Sequence, residues 1–161
     1  MLQVAVSRPR RHKGSFLAGS SPASNVTPGR QDSKDEQSLP LRVLIVDDDR
    51  DTLLTLGLLC REAGMYVHLL RNGNEVMDAV ASFRPHVVVL DLVLADRSGL
   101  ELAEEIADRY GDAQPVLIAI TAYSSDVDRR LAKAAGFHDF IAKPYDPQAL
   151  LRRLAALRPP G

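Results

Sequence analysis

Tryptophan is absent from this 161-residue chain, cysteine occurs once, and aromatic residues make up only 5 %. One cysteine cannot close an internal disulfide or build a thiolate zinc cage, and such usage fits a reducing compartment. No stretch reaches the roughly 18 apolar residues that a membrane span needs. A dominant charge sign is also missing: the formal net charge is −1, so the whole-chain balance gives no reason to expect nucleic acid as a partner. The start, MLQVAVSRPRRHKGSFLAG, places its charges after its apolar residues and lacks a long apolar region, which makes a poor secretory signal. These absences predict a cytoplasmic protein without a membrane span. The composition excludes collagen-like, coiled-coil and wholly disordered chains. The length suits one domain and a tail, and is too short for two full domains.

The neutral average hides two unlike parts. Residues 1–40 carry six Lys/Arg against three acids, or +3, while residues 41–161 carry fourteen against eighteen, or −4. The 1–40 stretch is rich in Ser, Pro and Gly, and its apolar residues follow neither helical nor strand spacing. It is predicted to be a disordered basic tail, because it cannot bury enough apolar surface to offset chain entropy. Its basic cluster reads as a solvated charge run, with contact to nucleic acid or acidic lipid as the functional alternative. An Arg/Ser-rich start without acids also admits an organelle transit peptide, against the simpler reading of a dispensable tail.

From Leu41 onward the text becomes regular. LRVLIV (41–46) is a continuous apolar run between Pro40 and an acidic cluster, as a buried strand should be. Asp49 is placed to cap a helix running to about Ala63, with Gly64 at C′. MYVHLL (65–70) is a second strand. Asn72 with Glu75 predicts a helix start, leading to a helix that ends near Phe83. PHVVVL (85–90) reads as a strand buried on both faces. Ser98 and Glu101 predict a capping box for a helix to about Arg109. PVLIAI (115–120) follows as a strand, then a helix from Ser125 and Asp128 to Gly136. HDFIA (138–142) is the fifth strand. Asp146 with Pro147 opens a last helix ending near Leu157, and 158–161 form a short C-terminal tail. Five strands alternating with five helices predict an α/β fold: a doubly wound parallel sheet in a three-layer α/β/α sandwich.

Ligands of such sheets sit beyond the carboxyl ends of the strands. Strand one is followed by Asp47, Asp48 and Asp49, strand three by Asp91, strand four by Thr121 and strand five by Lys143. Any one of these has an ordinary explanation. Asp49 and Asp51 suit a helix cap and a first-turn acid, Thr121 a strand end, and Lys143 a solvated charge. Asp91 resists such an explanation, because it ends a wholly apolar strand and no helix starts directly after it. Asp47, Asp48 and Asp91 would repel one another at close range, and a divalent cation removes that conflict. Hard oxygen ligands suit Mg²⁺. With Lys143 and the Thr121 hydroxyl, the set surrounds a multiply charged tetrahedral oxyanion such as a phosphoryl group. Asp91 is then the candidate nucleophile.

The stretch 41–157 resembles the receiver domain of two-component response regulators. The matching pieces are LIVDDD (44–49), VVVLD (87–91), SGLELA (98–103), IAITA (118–122), the Ala-Gly of AAGFHDF (134–140) and KP (143–144). The resemblance implies a flavodoxin-like fold with strand order 2-1-3-4-5. It implies Asp91 as phosphoacceptor, and Asp48, Asp91 and the Val93 carbonyl as ligands of Mg²⁺ (or Mn²⁺), with Asp47 holding metal-bound water. It further implies Thr121 as switch hydroxyl, Lys143 as phosphate-binding residue, Phe140 as switch aromatic and a cis Lys143–Pro144 bond. The implied partners are a histidine kinase or histidine phosphotransfer protein, and a downstream protein target. The implied activity is that of a self-phosphorylating switch rather than a turnover enzyme. No output domain or direct DNA-binding domain is expected after the last helix, which makes it a stand-alone receiver.

The chain departs from the family pattern at Ala95, where Pro is frequent, at Ser98, where Asp is frequent, and at Phe140, where Tyr is frequent. Ala95 is expected to loosen its loop, and Phe140 fills space without donating a hydrogen bond. Val93 and Tyr123 lie two residues beyond Asp91 and Thr121, where the family modulates hydrolysis, and predict slow self-dephosphorylation. On the first helix, Thr52, Thr55, Leu56, Leu59 and Ala63 are expected to face the core. Leu53, Leu54 and Leu58 then fall partly outside it, as a wide buried face or as a docking surface for the phosphodonor. Two other classes remain: a pseudo-receiver that only binds partners, and a haloacid-dehalogenase-type phosphohydrolase, whose nucleophile motif Asp47-x-Asp49 faintly matches.

Overall fold

Each apolar run from Leu41 to Ala142 forms a strand, and each stretch between them winds into a helix. The computed structural model describes residues 39–157. The expected basic tail, apart from Leu39 and Pro40, and the 158–161 tail lie outside the described residues. The order is β1 (Arg42–Val46), α1 (Arg50–Glu62), β2 (Tyr66–Leu70), α2 (Val76–Phe83), β3 (Val87–Asp91), α3 (Gly99–Tyr110), β4 (Val116–Thr121), α4 (Asp126–Ala135), β5 (Asp139–Ala142) and α5 (Pro147–Ala156). A single 3₁₀ turn, Gly111–Ala113, follows α3. The strands form one parallel sheet in the order β2-β1-β3-β4-β5, as the resemblance implied.

Alternation along the strands divides the core into two layers. Leu44, Val46, Val88, Leu90, Leu117 and Ala119 point to the side covered by α2, α3 and α4. Val43, Ile45, Val87, Val89, Ile118 and Ile120 point to the side covered by α1 and α5. The central strands are therefore apolar on both faces, which is why they read as continuous runs rather than alternating ones.

Three local expectations are corrected. On α1 the buried stripe is Leu53, Leu56, Gly57 and Cys60, while Thr55 and Ala63 are exposed. Leu53, at 3 % exposure, belongs to the core and is unavailable for docking, whereas Leu54 (52 %) and Leu58 (57 %) face solvent. The stripe is shifted because Gly57 lets the helix approach β2 closely: a Cβ there would lie 2.8 Å from a Leu69 methyl. Asn72 does not cap α2: Glu75 takes the N-cap, without a side-chain cap bond, and its carbonyl accepts the Ala79 N–H at 3.0 Å. Asn72 and Glu75 close a turn on each other, Asn72 Nδ2 donating to Glu75 Oε1 (3.0 Å) and the Glu75 N–H donating to Asn72 Oδ1 (3.1 Å), and the helix begins at Val76. Ser98 occupies the N-cap of α3 but makes no side-chain cap bond, so that capping box is not formed. The one at Ser125 and Asp128 is complete.

At the amino edge of the sheet two histidines play the same part. His86 Nδ1 accepts the Arg42 N–H at 3.0 Å, and His138 Nδ1 accepts the Leu117 N–H at 3.0 Å. Each imidazole satisfies a backbone donor of a neighbouring strand, and this requires an unprotonated Nδ1. Partial burial, aided by the nearby Arg42 charge, lowers the His86 pKa below its ordinary value. The neutral form is favoured in the folded state, so its stabilising contribution is complete above the unfolded pKa of about 6.5 and is lost as pH falls from there through the lowered folded value. Thermal melts between about pH 7 and 5 should show a falling melting temperature. His86→Asn keeps an acceptor but cannot titrate, and should flatten that slope. An unchanged slope in the variant would assign the pH dependence elsewhere.

Candidate functional site

Strand register brings the chemistry together. Val46 is paired with Leu90, Asp91 with Ile120, and Thr121 with Ala142. One step further along, Asp47, Asp91, Thr121 and Lys143 therefore emerge side by side from β1, β3, β4 and β5. The crevice lies between β1 and β3, where the strand order reverses, as open parallel sheets favour.

Lys143 is the central cation. Its Nζ donates to Asp47 Oδ2 at 2.7 Å and to Asp91 Oδ2 at 3.0 Å. Partial burial pulls the Lys143 pKa down, but the bonds to the two carboxylates outweigh it, and the net shift is upward. The ammonium stays charged throughout the physiological range. Asp47 and Asp91 are 3 % and 8 % exposed, and Thr121 is fully buried. Asp48 is not buried.

The three buried side chains are aimed by the same local device. Asp47 Oδ1 accepts the Asp49 N–H (2.9 Å), Asp91 Oδ1 accepts the Val93 N–H (3.0 Å), and Thr121 Oγ1 accepts the Tyr123 N–H (3.3 Å). Each bond runs from a side chain to the backbone two residues on, the Asx or Ser/Thr turn that ends a strand. It fixes one oxygen of each carboxylate and leaves the other for Lys143. The Lys143 N–H donates to the Thr121 carbonyl at 2.8 Å, and the Lys143–Pro144 bond is cis, as the resemblance implied.

Asp47, Asp48 and Asp91 each place a carboxylate oxygen within 4.8 Å of the others. Three hard anionic donors this close, with one open to water, fit a hexacoordinate divalent cation such as Mg²⁺ or Mn²⁺. Val93 is 51 % exposed, so the loop after Asp91 borders the same open side. Tyr123 is 60 % exposed, and its N–H donates to Thr121 Oγ1 at the edge of the site. Phe140 is half-buried, packs against the α2–α3–α4 core layer and lies beneath the Arg129 guanidinium, 4.8 Å from its ring centroid. That cation–π contact with α4 was not anticipated from the sequence.

Two further residues that shape the site escaped sequence reasoning. Asp96 accepts the Gly73 N–H at 2.8 Å and the Asn74 N–H at 2.9 Å, one on each carboxylate oxygen. These backbone bonds, Gly73 first, lower its pKa despite some desolvation. The loop that carries Ala95 is thereby tied to the start of the α2 region. Gly99 donates its N–H to the Leu92 carbonyl at 2.9 Å. A Cβ at Gly99 would crowd the Asp91 carbonyl and lie 2.7 Å from Leu92 Cα, so only glycine lets α3 begin against the backbone of the phosphoacceptor candidate. The one available signal was the Ser-Gly pair directly before the α3 periodicity.

The model of the response regulator receiver domain family matches residues 43–155. The chain belongs to this family. Response regulator MprA of Mycolicibacterium vanbaalenii is 37 % identical over 119 residues, which are 74 % of this chain and 51 % of that protein. This receiver domain thus spans about half the length of such curated relatives. An uncharacterized 14.6 kDa protein from Leptolyngbya boryana is 33 % identical, over 68 % of this chain and 84 % of its own length. Among solved structures, a CheY-like receiver domain protein from Methanospirillum hungatei superposes with a TM-score of 0.68 at 26 % identity, covering 73 % of this chain and 92 % of that one. The phosphohydrolase alternative loses its second acid. Asp49 caps α1, accepting the Asp51 and Thr52 N–H groups at 2.8 and 3.1 Å, and bonds from Thr52 and Asp51 lower its pKa.

Proposed function

We propose that this receiver domain is a phosphoacceptor of a two-component phosphorelay, with Asp91 as the residue modified. The observation that carries this reading is the pair of hydrogen bonds that Lys143 Nζ donates to Asp47 and Asp91. It leaves a nucleophilic carboxylate beside a fixed cation that stays charged. In the proposed step an Asp91 oxygen attacks the phosphorus of a phosphohistidine in line. The P–N bond breaks, and the imidazole leaves with the electron pair. Lys143 remains on Asp47 while its other N–H bonds turn from Asp91 to a phosphoryl oxygen. A divalent cation held by Asp48, Asp91 and the Val93 carbonyl, with Asp47 behind it, would supply charge neutralisation for the three equatorial oxygens.

The product carries about −2 charge on the phosphoryl group, in place of the single charge of the Asp91 carboxylate. Thr121 Oγ1 is the nearest neutral donor on β4, and its move would let Phe140 follow, changing the surface of β4, α4 and β5 for a downstream protein partner. Each phosphoryl group is used once per cycle, so the protein acts as a switch rather than a turnover enzyme. Incubation with acetyl phosphate and Mg²⁺ should label the protein, and Asp91→Asn should abolish the label. Equal labelling of both forms would end the assignment.

Lifetime is set on the open side of the site. Val93 is apolar and Tyr123 is bulky, and both border the path of hydrolytic water, which supports slow self-dephosphorylation. Tyr123→Ala should speed the decay of the aspartyl phosphate several-fold. An unchanged decay rate refutes the role.

The donor would dock on α1. Leu54 and Leu58 are half exposed or more and one helical turn apart, so they form an apolar strip next to the site. Leu54→Glu should slow phosphotransfer from a phosphorylated histidine protein without changing labelling by acetyl phosphate. Unchanged transfer would place docking elsewhere.

A further inference from the structure

Four helices end in a residue of positive φ or directly before one. For three the residue is glycine: Gly64 after α1, Gly111 after α3 and Gly136 after α4. For α2 it is Arg84, in the left-handed region at φ 50°, ψ 60°. A non-glycine residue there is strained, and the following Pro85 restricts it further. Glycine would remove that strain, yet arginine stands there.

Arg84 borders a groove of about 350 Å³ at the amino edge of the sheet, opposite Asp91. Arg42 and His86 also line it, over a floor that includes Val80, Tyr110 and Pro115, and no acidic residue does. Arg42 Nε donates to the Arg84 carbonyl at 2.7 Å, which holds the Arg42 guanidinium at the rim. Neither guanidinium has an ion pair among the described residues. His86 Nδ1 accepts the Arg42 N–H, which leaves the proton of the neutral ring on Nε2 as one more donor.

We propose that this groove binds a small organic phosphate monoester, the phosphate between Arg42 and Arg84 and the organic part over Tyr110 and its apolar neighbours. Two guanidiniums match the charge of a dianion, and their planar forks match its oxygens. The volume and the apolar floor suit a ligand larger than a free ion. This site is independent of phosphotransfer to Asp91.

Adenosine monophosphate is the probe, with adenosine and inorganic phosphate as controls, followed by amide chemical shifts or calorimetry on the full chain. The nucleotide should bind saturably and more tightly than either control. Arg84→Gly relieves the backbone, so it should keep or raise the melting temperature while weakening nucleotide binding about tenfold or more. Arg42→Gln should weaken it similarly. Acetyl phosphate labelling of Asp91 should be unchanged in both variants. The proposal is overturned if the nucleotide does not bind saturably, if adenosine or free phosphate binds equally well, or if Arg84→Gly binds like the parent. A lower melting temperature in Arg84→Gly would also overturn it, since the side chain would then be retained for stability.

Discussion

One ammonium group decides how the carboxyl edge of this sheet is arranged. Asp47 and Asp91 emerge from neighbouring strands, nearly buried, and Asp48 adds a third carboxylate within 4.8 Å. At an effective dielectric of about 20, two like charges at that distance repel by about 3.5 kcal/mol, and an opposite charge 3 Å away attracts by about 5.5 kcal/mol. Lys143, bonded to both Asp47 and Asp91, therefore more than offsets the repulsion between those two. It does not offset Asp48, which makes no hydrogen bond or ion pair with Lys143 and keeps its access to water. The site thus retains an excess of negative charge on its open side, where a divalent cation fits.

The reach of Lys143 depends on the whole sheet. It arrives from the last strand, 96 residues beyond Asp47, and crosses the ends of β4 and β3 to reach β1. Any slip of one residue in the register would turn Asp91 or Thr121 away from the edge. The two apolar layers prevent this, because the same slip would expose Val88 and Leu90 or Leu117 and Ala119 to the wrong layer. The core fixes the register, and the register fixes the charge cluster. The turns two residues on, at Asp47, Asp91 and Thr121, then set the side-chain rotamers.

The fold was legible because the strands are continuous apolar runs and their helices carry strong stop and start residues. Asp49, Ser125, Asp146 and Gly136 all do what their types predict. Asp47, Asp48, Asp91, Thr121 and Lys143 were legible because each ends a strand or follows one within two residues. What was missed lies where packing overrides pattern. Gly57 lets α1 rotate Leu53 into the core and Thr55 out of it. Asn72 and Glu75 have the spacing of a helix start but satisfy each other in a turn. Asp96 and Gly99 act across the chain, on Gly73 and on Leu92, and no local periodicity reports such pairings. The cation–π contact of Arg129 with Phe140 is likewise a meeting of α4 and β5 that spacing does not encode.

In the proposed switch, Thr121 is suited to be the moving part. Its hydroxyl is buried yet held by a single backbone bond of 3.3 Å, longer than usual for an N–H donor. Asp47 and Asp91 are held at both oxygens by shorter bonds. A dianion placed on Asp91 would compete for the weakest-held donor first, and that is the Thr121 O–H. Thr121 is also tied through its carbonyl to the Lys143 N–H, so displacement at the end of β4 is shared with the end of β5. Phe140 lies three residues before Lys143 on that strand, under Arg129 of α4. In the proposed switch, a cluster held rigidly on β1 and β3 and loosely on β4 would pass the effect of phosphorylation toward one side of the sheet, the side of α4.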